Sequence, residues 1–116
     1  MLSIAGKVGH FSAKVRRLPR YVDEDRCTAC GACLNYCPVP ISDSFNEGLC
    51  LTKALHIDYQ QAVPAAFHVD EKACRFLTKK ECRQCERVCS AKAIDFRQVP
   101  QEMDLHVGAV ILAPGF

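Results

Sequence analysis

Hydrophobic positions at both ends of the chain are spaced as in β-strands. Leu2 to Ala5 and Phe11 to Val15 read as two strands joined across Gly6-Lys7-Val8-Gly9, so residues 2–17 predict a β-hairpin. Near the other end, Met103, Leu105 and Val107 alternate with polar residues. A continuous apolar run, Ala109-Val110-Ile111-Leu112-Ala113, follows them. Such a run is the mark of a strand buried on both faces, as in the parallel sheet of an α/β domain. Between the ends, two short extended segments stand out, Tyr21-Val22 and Phe67-His68-Val69, each leading into an acidic turn. Residues 40–66 show no strong periodicity, although Leu51 to Ile57 is long enough for two helical turns.

The acidic turns belong to an internal repeat. Val22-Asp23-Glu24-Asp25-Arg26-Cys27 aligns without gaps on Val69-Asp70-Glu71-Lys72-Ala73-Cys74. Each copy opens a cysteine run. The first is Cys27-x2-Cys30-x2-Cys33-x3-Cys37-Pro38; the second is Cys74, then Cys82-x2-Cys85-x3-Cys89, with five extra residues somewhere within Arg75 to Glu81. An apolar residue follows each run, Ile41 after the first and Ile94, then Phe96, after the second. The unit repeated is strand, cysteine loop, helix, strand, and its duplication predicts an α+β fold. Pro38 stops the first helix, since it lacks an N–H and restricts the residue before it. Ser90 follows the last cysteine of the second run, so the stop there is less sharply encoded.

The spacing of the first run is the one that wraps a cubane iron–sulfur cluster in bacterial-type ferredoxins. Three cysteines three positions apart can line three corners of one [4Fe–4S] cube. The fourth lies about one helical turn beyond the third and faces away, where it reaches a different cube. By this crossing rule, cluster 1 takes Cys27, Cys30, Cys33 and Cys89, and cluster 2 takes Cys37, Cys74, Cys82 and Cys85. Cys50, isolated in Gly48-Leu49-Cys50-Leu51, is left over and reads as a small buried apolar residue. Two other readings compete. Nine cysteines in 116 residues would suit a disulfide-stapled domain, but the count is odd and residues 1–6 offer no secretory apolar segment. Two four-cysteine zinc sites also need eight thiolates, yet zinc ribbons separate their C-x2-C pairs by longer arms. The zinc-stabilised interaction module, without redox function, stays open as the alternative.

Length fits one small domain with appendages, and its limited core implies that bound clusters supply much of the stability. The formal charge of +2 counts cysteines as neutral. Two oxidised cubanes, each about −2 with its thiolates, bring the loaded protein to about −2. Arg75, Lys79, Lys80, Arg83, Arg87 and Lys92 gather around the second run, as a solvated face that offsets cluster charge or as a docking patch for an acidic partner. No reader motif or aromatic interleaving accompanies them, which argues against nucleic acid as a partner. No apolar stretch approaches the about 20 residues of a membrane span, and the expected location is cytoplasmic. His10, His56, His68 and His106 are scattered without metal-ligand spacing and are not expected to be ligands. A G-x-G-x-x-G turn is missing, as is a C-x2-C redox pair spared from cluster duty, and no serine, histidine and carboxylate group for nucleophilic chemistry. No residue is expected to be catalytic.

Beyond the cysteines, several segments resemble the ferredoxin module inserted in the flavoprotein A-subunit of heterodisulfide reductase. They are Gly6-Lys7-Val8-Gly9-His10-Phe11, Pro19-Arg20-Tyr21-Val22-Asp23, Asn46-Glu47-Gly48-Leu49, Lys53-Ala54, Gln61-Ala62-Val63-Pro64 and Val107 to Phe116. Two positions depart from that family, Cys50 where it has a small residue and Pro114 in place of the threonine of an Ala-Thr-Gly signature beside the flavin. The resemblance implies two [4Fe–4S] clusters here and FAD only in a parent protein. It also implies electron relay between that flavin and other iron–sulfur centres, with the parent flavin domain and the iron–sulfur subunits of a reductase complex as partners. Residues 1–17 and 103–116 are then expected to be stumps of the parent flavin domain, flanking a two-cluster domain at 18–102 with a linker at 40–66. With its neighbours missing, the terminal apolar strand is expected to fray, pair with the hairpin or promote self-association.

Overall fold

A computed structural model describes residues 1–113 and 115; the departure at Pro114 lies outside the described residues. Along the chain the elements are β1 (Ser3–Lys7), β2 (His10–Arg17), α1 (Ala32–Tyr36), β3 (Pro40–Ser42), β4 (Leu51–Lys53) and β5 (Leu55–His56). They continue as β6 (His68–Val69), α2 (Arg75–Lys79), α3 (Gln84–Val88) and β7 (Gln101–Val107). Two compact units form. One joins Met1–Pro19 to the chain from Val99 onward, and the other is Arg20–Gln98. Residues 18–19 and 99–102, placed with the middle domain by the sequence boundaries, go with the terminal unit.

The terminal unit is an antiparallel sheet in the order β1-β2-β7. Its hairpin is tighter than the sequence suggests. Gly6 and Lys7 remain in the strand, Lys7 pairs with His10, and only Val8 and Gly9 turn. Gly6 is required there, because its φ of +123° is left-handed and a Cβ would lie 2.2 Å from the His10 carbonyl oxygen. β2 pairs with β7 so that Phe11, Ala13 and Val15 face Val107, Leu105 and Met103. The alternation read from the sequence thus makes one apolar face, while Arg16 and Glu102 ion-pair at 2.7 Å on the other. The run Ala109–Ala113 is not a strand: it is irregular and largely exposed, with Ile111 91% accessible, as expected of a frayed segment. A strand buried on both faces needs layers above and below it, and the described residues supply neither.

In the middle unit the duplication is visible bond by bond. Val22 bridges Ile94 antiparallel, and Val69 pairs with Leu55 in the same sense. The Asp23 N–H donates to the Ala93 carbonyl at 2.7 Å and the Asp70 N–H to that of Ala54 at 2.6 Å. Each half therefore closes on the other: the strand that opens one repeat pairs with the strand that ends the other. Leu55, not Ile41, is the counterpart of Ile94. Ala93 follows Cys89 by four residues, whereas Ala54 follows Cys37 by seventeen, and the excess is the hairpin β3–β4. The helical turns expected at Leu51–Ile57 do not form. That segment holds two strands, since seven residues cannot repay helix nucleation while backbone partners stand ready on both sides. The five extra residues of the second run become helix α2, capped by Lys80 in the left-handed region. The core is small: Tyr21, Val22, Leu55, Phe67, Val69, Ala93 and Ile94 are buried together with Cys33, and the half-buried residues packed around them include Cys27, Cys37, Cys74, Cys85 and Cys89.

Candidate metal centres

Each first cysteine is delivered by the same device. The carboxylate of Asp23 accepts the N–H groups of Asp25 and Arg26, and the Cys27 N–H returns to the Asp23 carbonyl at 3.0 Å. Asp70 does likewise with Lys72 and Ala73, and the Cys74 N–H donates to its carbonyl at 2.9 Å. Past Cys27 the loop opens through left-handed residues, Ala29 at φ 53° and Gly31 at φ 78°, before α1 begins. α1 and α3 each carry five residues and each end on the last cysteine of a run, Cys37 and Cys89, in extended conformation. Too short to persist alone, the two helices pack on one another.

The nine thiols are distributed unequally. Cys27, Cys30, Cys33 and Cys89 line one small cavity, closed by Val22, Phe67 and Ile94. Cys37, Cys74, Cys82 and Cys85 line a second of the same size, closed by Leu55 and Val69. The last cysteine of each run thus sits with the first three of the other. Burial pushes the Cys33 thiol up to about 11 and that of Cys85 up to about 12, whereas the Ala32 N–H, then Thr28, holds exposed Cys30 below its ordinary value. The Ala93 N–H points at the Cys89 sulfur, 3.3 Å away. Cys50 is in neither cavity. Contrary to the buried reading, it is exposed at the end of the loop between β3 and β4, where its thiol lies 3.5 Å from an Asp43 carboxylate oxygen. That loop is largely exposed, its tip held by Asp43, which accepts the N–H groups of Phe45 and Asn46.

The basic residues of the second run are partly engaged. Arg83 pairs with Glu86 and Arg75 with Glu81, while Lys80 and Arg83 both lie over the Phe76 ring, 5.2 and 5.1 Å from its centre. Two of the scattered histidines come together. His56 and His68 are register partners across β5 and β6, and their rings meet at 4.2 Å with Asp58 beside them. Sequence spacing hides this group, because twelve positions separate the histidines and only the strand pairing joins them. Burial, then the neighbouring His56, holds the His68 pKa below its ordinary value.

Comparison with known proteins identifies the first cysteine run. Residues 20–41, which contain Cys27, Cys30, Cys33 and Cys37, match the family described as "4Fe-4S binding domain". The chain is 45% identical over its full length to the iron–sulfur A-subunit 2 of CoB–CoM heterodisulfide reductase from Methanopyrus kandleri. It is 41% identical over 98% of its length to the A-subunit of ferredoxin:CoB–CoM heterodisulfide reductase from Methanosarcina acetivorans. Identity is 38% over 97% of the chain to the A-subunit of the H(2):CoB–CoM heterodisulfide,ferredoxin reductase from Methanothermobacter thermautotrophicus. The chain spans 17%, 14% and 16% of these relatives, respectively. Over nearly all of its residues, this iron–sulfur chain therefore belongs to the A-subunit family of heterodisulfide reductases, corresponding to one segment of those longer proteins.

Proposed function

We propose that the middle unit is a ferredoxin-like, duplicated electron-transfer module that holds two [4Fe–4S] clusters. Cys27, Cys30, Cys33 and Cys89 hold one, and Cys37, Cys74, Cys82 and Cys85 hold the other. The observation that carries this reading is the exchange of last cysteines between two matched cavities, which follows the ligand crossing of two-cluster ferredoxins. Thiol spacing favours cubanes over zinc. Four thiolates on one zinc, each about 2.3 Å from the ion, lie no more than about 4.6 Å apart. Among the described residues no three cysteine sulfurs lie within 4.8 Å of one another, so each set is spread for something larger than one ion.

A cubane bound in either cavity supplies one-electron storage spread over four irons with little rearrangement. The protein's part is to present four thiolates, exclude water with Val22, Phe67, Leu55 and Val69, and aim N–H groups at sulfur, as Ala93 does at Cys89. Buried Cys33 and Cys85 hold their protons until metal displaces them, so assembly releases protons. In the full-length parent, the module passes electrons between FAD and other iron–sulfur centres of a reductase complex. The β1-β2-β7 sheet belongs to that parent's flavin domain, because Arg17 and Gln101, where the chain leaves and re-enters the sheet, are direct register partners. The test is analysis of anaerobically purified protein for iron, acid-labile sulfide and zinc. About eight irons and eight sulfides per chain are expected; near-stoichiometric zinc without sulfide would end this reading.

A further inference from the structure

We propose that His56, His68 and Asp58 form a binding site for a divalent transition-metal ion of the Zn²⁺ class. The site is distinct from the cysteine cavities, and the ion it holds is a structural clip. Along β5 and β6 side chains alternate between faces. Leu55 and Val69 face the second cysteine cavity, which turns their neighbours His56 and His68 to the other side. There, one ligand atom from each of His56, Asp58 and His68 lies within 4.8 Å of the others, the one such group of three among the described residues.

One detail points to an ion rather than a hydrogen-bonded trio. His56 is 8% exposed and offers one ring nitrogen to the group. Its Nε2 lies 3.6 Å from Asp58 Oδ1, too long for a hydrogen bond. That separation instead falls at the upper end of the range for two donors on one tetrahedral ion, which sit about 3.3–3.6 Å apart when each is about 2.0–2.2 Å from the metal. Two imidazoles and a carboxylate are the donor types zinc and its neighbours accept, with a fourth position for water. Asp70 adds negative charge near His68 and Arg20 opposes it, but the Arg20 guanidinium is anchored to the Ala66 carbonyl at 3.1 Å.

The set is no by-product of the repeat. By the alignment of Val22 on Val69 and Ile94 on Leu55, the corresponding positions in the other half are Tyr21, Asp95 and Arg97. An ion on His56, Asp58 and His68 ties together the two ends of the loop between β5 and β6. It also pins the short strand pair whose other face walls the second cavity.

The site uses no cysteine, so it stands or falls separately from the thiol cavities. Anaerobically purified protein, loaded with Zn²⁺ and desalted, should retain about one zinc per chain with iron and sulfide unchanged. Zinc-edge absorption spectroscopy should show a shell of nitrogen and oxygen at about 2.0–2.1 Å. Asp58→Asn, at a half-exposed position, and His68→Gln should each weaken zinc binding about tenfold or more while leaving iron and sulfide as they were. A sulfur shell at about 2.3 Å, no retained zinc, or equal retention in both variants would overturn the site.

Discussion

Asp23 and Asp70 hold matched turns that present the first cysteine of each run, and each carboxylate accepts two backbone N–H groups. Asp23→Ala and Asp70→Ala should each cost about 1–2 kcal/mol. The two losses should be similar, read as shifts in the denaturant midpoint of cluster-loaded protein. A large difference between them would mean that the halves do not share this device energetically. Cys50→Ser should leave iron and sulfide content unchanged, since its exposed thiol faces Asp43 and lies in neither cysteine cavity; loss of iron would give Cys50 a ligand role. The eight remaining cysteines are legible in the sequence because their spacing is short-range and stereotyped. The exposure of Cys50 and the meeting of His56 with His68 are not, since both follow from strand pairings made far along the chain.

Between residue and domain, the hairpin β3–β4 is the main asymmetry between the repeats. It lengthens the path from Cys37 to Leu55, and the Ala54 N–H meets the Val39 carbonyl at 2.9 Å across its base. Replacing residues 40–53 with a two-residue Gly-Ser link should therefore keep the full iron and sulfide complement, because Cys37 and Leu55 would retain their places. Loss of half the iron would show that the hairpin shapes the second cavity. In the terminal sheet, Gly6→Ala forces a Cβ against the His10 carbonyl, and hydrogen exchange of β1 and β2 amides should accelerate markedly while the middle unit is unchanged. The repeat is readable as a gapless six-residue match. The return strand is not, because two apolar candidates, Ile41 and Leu55, follow the first run, and only the pairing with Val69 selects Leu55. At Ala109–Ala113 the pattern encodes burial that the described residues do not supply.

The middle unit has few apolar side chains in its core, and many of the groups that bury one another there are cysteines. Removing iron with a chelator under reducing conditions should broaden and lower its melting transition, and reconstitution should restore cooperativity. A sharp, unchanged transition would uncouple folding from cluster assembly. Residues 20–98, expressed alone, should retain both clusters. They should also self-associate less than the whole chain, whose terminal unit leaves Leu105, Ile111 and Leu112 exposed. Loss of clusters from that piece would make the sheet part of the cluster fold. The central claim is that each cluster is completed by the other run's last cysteine. Electron paramagnetic resonance of reduced alanine variants tests it most directly. Cys37→Ala should lose the same signal as Cys82→Ala, and Cys89→Ala the same signal as Cys30→Ala. If Cys37→Ala instead matches Cys30→Ala, and Cys89→Ala matches Cys82→Ala, each run serves its own cluster and the crossed arrangement is wrong.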